Sequence, residues 1–143
     1  MGTAVKQQES KKALVISVSD YKYFPALTFC KKDGEEMVNV LKGTPFEYQT
    51  TPLIGKIAYR RIRDMTRNFF LDRNIKAKDT LLFYFSGHGV IDNYGDHYLT
   101  TFETDPEDPG SRGLSFQELE GIINNSYSTR IAAILDCCYA GAA

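Results

Sequence analysis

The sequence predicts an α/β protein, a three-layer α/β/α sandwich around a mostly parallel sheet. Short continuous apolar runs, rich in β-branched and aromatic residues, occur at residues 13–18, 79–85 and 130–136, the pattern of strands buried on both faces. Amphipathic stretches of helical period separate them, which is the alternation that builds parallel sheets. The chain has 143 residues, 43% of them hydrophobic, enough for one domain with its own core.

Taken in order, residues 1–12 read as a polar, disordered leader and residues 13–143 as the domain. ALVISV at 13–18 is the first buried strand. Residues 19–32 read as a loop through Pro25. Asp33-Gly34-Glu35-Glu36 opens a helix with acids in its first turn, and Met37, Val38 and Leu41 give it an apolar face. Gly43 and Pro45 end it, and residues 44–54 leave room for a short strand. A second helix spans about residues 56–71, with Ile62, Met65 and Phe69 on its apolar side and Arg60, Arg63 and Arg67 on the other. Residues 79–85 form the second buried strand, 98–102 a short third one, and FETDPEDPGSRG at 102–113 a polar Pro/Gly loop. Ser115 followed by Glu118 is a capping box for a helix over 116–124. The last buried strand is 130–136.

Composition narrows the function. A net charge of −1 gives no basic stripe for nucleic acid. No apolar run approaches the length of a membrane span, and the polar N-terminus is no secretory signal. Three cysteines, two of them adjacent, are a poor disulfide framework, so a reducing, cytoplasmic setting is expected.

In open α/β sheets the chemistry gathers beyond the carboxyl ends of the strands. Two such ends are expected here, Ser86-Gly87-His88-Gly89 and Asp136-Cys137-Cys138-Tyr139. Each places one residue of a thiol–imidazole pair: a thiolate attacks, an imidazole moves the proton, and backbone N–H groups hold the oxyanion. Glycines beside His88 would let a substrate backbone approach. Taken singly, a histidine after a strand is often a loop residue and a buried cysteine is often inert core. Cys138 follows His88 by 50 residues, a spacing known from one class of thiol peptidases.

FYFSGHG and ILDCCYAG resemble the two active-site motifs of the caspase-like cysteine peptidases, nearer to the metacaspase, paracaspase and prokaryotic branches than to animal caspases. The similarity runs from about residue 12 to the end. It implies a caspase-like fold, His88 as general base and acid, and Cys138 rather than Cys137 as nucleophile. The Gly89 and Cys138 amides would form the oxyanion hole. Asp33, Ser86 and Asp136 match the primary specificity pocket. Two carboxylates there favour a guanidinium or ammonium, so cleavage is expected after Arg or Lys. Asp33 as a helix cap and Asp136 and Ser86 as turn residues are the bland readings. Tyr139 and Ala140 stand where metacaspases have His and Ser.

The resemblance also implies partners: a protein or peptide substrate, and a small-subunit polypeptide completing the sheet, this chain being the large-subunit portion. A regulatory or sensor protein is a further expected partner, whereas nucleic acid and membrane are not. No cofactor is expected. The acids that hold calcium in many metacaspases are absent at Gly113-Leu114-Ser115-Phe116, and Glu103, Asp105, Glu107 and Asp108 lack the spacing of a calcium loop. His88, His97, Cys137 and Cys138 have no zinc spacing. The alternatives are a catalytically silent caspase-like scaffold and a flavodoxin-type ligand-binding domain. No glycine-rich phosphate loop supports the second, and Gly-x-Ser-x-Gly is absent too.

Overall fold

The computed structural model describes residues 8–139, with Cys138 described by its backbone alone. The elements in chain order are β1 (Lys11–Val18), α1 (Thr28–Lys42), β2 (Gln49–Gly55), α2 (Tyr59–Leu71), β3 (Thr80–Ile91), β4 (His97–Leu99), α3 (Pro109–Arg112), β5 (Leu114–Ser115), α4 (Phe116–Asn124) and β6 (Arg130–Tyr139).

β1 pairs in parallel with β2 on one side and β3 on the other, and β3 pairs in parallel with β6. Gly89 is matched both to Leu99 of β4 and to Tyr139 of β6, so these strands flank β3 on opposite edges. β4, antiparallel, therefore continues along the edge that β1 vacates after Ser17↔Ser86. The spatial order β2-β1-β3-β6 fixes the layers. Right-handed crossovers put α1, which leads from β1 to β2, on one face. The connections β2 to β3 and β3 to β6 run the opposite way, so α2 and α4 belong on the other.

The core matches. Leu14, Ile16, Phe83 and Phe85 pack with Ile62 and Phe70 of α2 and with Leu119 and Ile122 of α4. Ala13, Val15 and Tyr84 pack with Val38 and Leu41 of α1. Connections leave β1 and β3 toward opposite faces, which makes the ends of these two strands the switch point where a site is expected.

Several boundaries differ from expectation. β1 begins at Lys11, and Ser10 donates its N–H to Asp79, so the end of the expected leader is built into the fold, while its first seven residues lie outside the described ones. α1 begins at Thr28, five residues early. Its buried stripe is Cys30, Gly34, Val38 and Leu41, with no acid in the first turn. The acidic cluster thus sits in the second turn, and Asp33 is not a helix cap. Gly34 allows the close packing, since a Cβ there would lie 2.6 Å from the Ser17 Cβ. In α2 the fully buried residues are Ile62, Thr66 and Phe70, with Met65 and Phe69 partly buried beside them. Pro52 is tolerated in β2 because the strand pairs only with β1 among the described residues. α4 is capped as expected, Ser115 Oγ accepting the Glu118 N–H at 3.0 Å. The Glu118 carboxylate turns to Arg63 of α2 instead of closing the box.

Candidate active site

β3 and β6 do not stop where the apolar runs stop. Both continue as paired strand through the two motifs, to Ile91 and Tyr139. Glycines and a histidine read as a loop in sequence, but here they are paired in register with β6, and the His88 N–H and C=O find partners in Tyr21 and Thr100. The register matches Ser86 to Asp136 and His88 to Cys138. Register partners in parallel strands share a face, and residues two apart along a strand share it as well. The four positions form a two-by-two patch, with rows about 7 Å apart and strands about 5 Å apart.

His88 is buried. Phe24 stacks on its ring at 5.2 Å between centroids, and Tyr21 meets it edge-on at 4.8 Å. Its Nε2 lies 2.9 Å from the carbonyl oxygen of Pro25. A carbonyl can only accept, so Nε2 carries the proton. In the neutral ring Nδ1 then holds the lone pair, and it has no hydrogen-bond partner among the described residues. The Cys138 side chain, and with it the sulfur-to-imidazole distance, lies outside the described atoms.

The row of Ser86 and Asp136 adjoins Tyr84, two residues earlier on the same strand. Ser86 is buried and Asp136 is exposed. Burial pushes the Tyr84 hydroxyl above its ordinary range. The Asp136 and Asp33 carboxylates push it further, against a hydrogen bond with Ser86. Both carboxylates thus act on the Tyr84 phenol through their charge, and Ser86 through a hydrogen bond. Asp33 arrives there from the second turn of α1.

A family model for the caspase domain of the C14 peptidases matches residues 10–143. The chain belongs to the caspase-domain family. It is a family of cysteine peptidases. No curated protein matches the chain.

In this caspase domain the glycines flanking His88 leave room for neighbouring side chains. A Cβ at Gly87 would lie 2.6 Å from the Tyr21 hydroxyl. One at Gly89 would lie 3.1 Å from both the Cys137 Cβ and the Tyr139 ring. Gly89 has no positive φ and sits inside the strand. Cys137 packs against the α2–α4 core. The Tyr139 ring crosses Gly89 to reach His97 on β4, with its hydroxyl 3.3 Å from His97 Nδ1. His97 also packs against Phe116 of α4. These contacts give position 139 a role where metacaspases have a histidine. Ala140 and Gly141 lie outside the described residues.

The loop acids of the caspase domain have local partners. Glu103 accepts the Tyr59 N–H at the start of α2, and Asp105 accepts the Glu107 N–H. Among the described residues no three His, Cys, Asp or Glu side chains converge as metal ligands. No helix among them is long and apolar enough to cross a membrane.

Four participants escaped the sequence: Tyr21, the Pro25 carbonyl, Tyr84 and Thr100. The first two lie in a segment read only as loop, although the aromatic cluster Tyr21, Tyr23 and Phe24 was visible there. A carbonyl has no signature in sequence.

Proposed function

We propose that this caspase domain is the catalytic portion of a cysteine endopeptidase that cleaves after Arg or Lys. His88 Nδ1 takes the proton of the Cys138 thiol, and the thiolate attacks the scissile carbonyl carbon. The Gly89 and Cys138 amides hold the oxyanion. The imidazolium then returns its proton to the leaving amine as the C–N bond breaks, leaving a thioester that water hydrolyses by the same relay. The Pro25 carbonyl keeps Nε2 protonated, as a carboxylate does in other triads. The chemistry needs no metal, since thiolate, imidazole and amides supply every role, and no cofactor is assigned to it. A reducing, cytoplasmic setting suits such a nucleophile.

The carrying observation is the His88↔Cys138 register beside an Nδ1 with no partner among the described residues. The acids of the adjacent row favour a basic side chain reaching about 7 Å from the catalytic row. They also favour a metacaspase-like specificity. β6 pairs only with β3 among the described residues, and Ala132, Ala133 and Ile134 are exposed on it. A small-subunit polypeptide would add its strands there, and a regulatory protein is a further expected partner.

A peptide-library digest by this chain with its small-subunit partner tests the reading. Cleavage after Arg or Lys, abolished in Cys138→Ala and His88→Ala, is expected. Cleavage after Asp would overturn the acidic pocket, and activity surviving in Cys138→Ala would overturn the nucleophile. Binding of a partner with no turnover in any format would leave a scaffold.

A further inference from the structure

We propose that Tyr21 and Thr100 are positioning residues that close a ring of hydrogen bonds around the backbone of His88 and so hold the Phe24-Pro25 segment against its imidazole. The proposal rests on reading His88 as the general base.

Proton counting defines the ring. The Thr100 Oγ1 lies 2.7 Å from the His88 carbonyl oxygen and 2.9 Å from the Tyr21 hydroxyl oxygen. Thr100 has one hydroxyl proton, and a carbonyl can only accept, so that proton goes to His88 O. The Tyr21 hydroxyl then donates to Thr100 Oγ1. Its oxygen in turn accepts the His88 N–H at 2.9 Å. The chain of donation runs from His88 N–H through Tyr21 and Thr100 back to the His88 carbonyl. The Thr100 N–H adds a second bond to that carbonyl at 3.2 Å. Thr100 is fully buried. Burial keeps the Tyr21 phenol protonated, well above its ordinary range, and the His88 N–H that its oxygen accepts only partly opposes this.

Tyr21 belongs to the same short segment as Phe24 and Pro25. Leu27 N–H bonds to Ser19 O and Lys22 N–H to Phe102 O, tying that segment at its base and side. Tyr21 is its only hydrogen bond to the backbone of His88 among the described residues, and Pro25 its only one to the ring. Removing the phenol oxygen frees the loop to lift, and with it the carbonyl that fixes the tautomer. Gly87 belongs to the device: its missing Cβ is the space that the Tyr21 hydroxyl occupies.

The test uses the full chain with ¹⁵N-labelled histidine, the His97 resonances being assigned from His97→Gln. The wild type should show the Nε2–H tautomer of His88. Tyr21→Phe and Thr100→Val should both show averaged imidazole nitrogens, and alkylation of Cys138 by iodoacetamide, read by mass spectrometry, should slow about tenfold. Thr100→Ser should restore wild-type behaviour, which bulk packing at this site would not require. Unchanged imidazole nitrogens in Tyr21→Phe would overturn the proposal. Should that variant fail to fold, the Val and Ser variants at position 100 decide, and identical behaviour of the two would overturn it. His88→Gln separates the underlying reading: unchanged Cys138 alkylation there ends the role of His88 as base, whereas the nitrogen signature still reports on the ring.

Discussion

Replacing Gly89 by alanine keeps its backbone N–H and changes only the space above it. The new Cβ would stand 3.1 Å from the Cys137 Cβ and 3.1 Å from the Tyr139 ring. Carbon atoms settle about 3.5–4.0 Å apart, so each neighbour must give by about half an ångström. The Cys137 Cβ is fixed to the β6 backbone, so either that strand end moves or the Tyr139 ring leaves its place against His97. Overpacking of this kind costs about 1–3 kcal/mol, or roughly 4–10 °C in Tm for a chain of this size. The displaced segment adjoins Cys138, and a misplacement of about 1 Å can cost a hundredfold in rate. We therefore expect kcat to fall about tenfold with little change in KM. Combining Gly89→Ala with Tyr139→Ala should recover part of the loss, since one of the two close contacts disappears. Calorimetry and peptide hydrolysis measure both effects. A Gly89→Ala protein with wild-type Tm and rate would refute the packing account of this glycine.

Gly121 lies inside α4 with nothing within 4 Å of a new Cβ, so Gly121→Ala should stabilise the fold by about 1 kcal/mol in thermal or urea unfolding. Ser115→Ala removes the cap on the Glu118 N–H and should cost about 1 kcal/mol in the same measurement. The Asp79 carboxylate is held below its usual range, first by the Lys76 N–H and then by the Ser10 N–H, against the opposing effect of burial. A depressed carboxylate stabilises the fold above its unfolded value near 3.8 and loses that contribution as pH falls through the lower folded value. Asp79→Asn should cost about 2 kcal/mol at pH 7 and flatten the loss of stability below pH 4, as read by urea titrations across pH.

The elements legible in sequence are those whose signal is local. The apolar runs of β1, β3 and β6 and the Ser115 cap state their own conformation, because burial on both faces demands unbroken apolar residues and a helix start demands an oxygen acceptor. The motif residues His88 and Cys138 were legible by type and spacing. The ends of β3 and β6 were not. Gly87, His88 and Gly89 carry no strand propensity, and they are extended because β6 runs beside them in register and Tyr21 and Thr100 bond the His88 backbone. The start of α1 was misplaced for a related reason. Its first turn is held by the Cys30 contact with the core and by the loop closure at Leu27, not by the acids that mark a helix start in isolation.

By itself, then, the sequence determined the layer architecture and the caspase-like motifs, both properties of residue type and short-range order. Only the tertiary structure decided which nitrogen of His88 holds the lone pair, that Ser86 and Asp136 are register partners, and that Tyr21 and Thr100 encircle the backbone of the histidine. Those facts depend on segments far apart in the chain, brought together where the chain leaves the neighbouring parallel strands β1 and β3 toward opposite faces of the sheet. A hydrogen bond leaves no trace in the order of residues when one partner is a main-chain carbonyl.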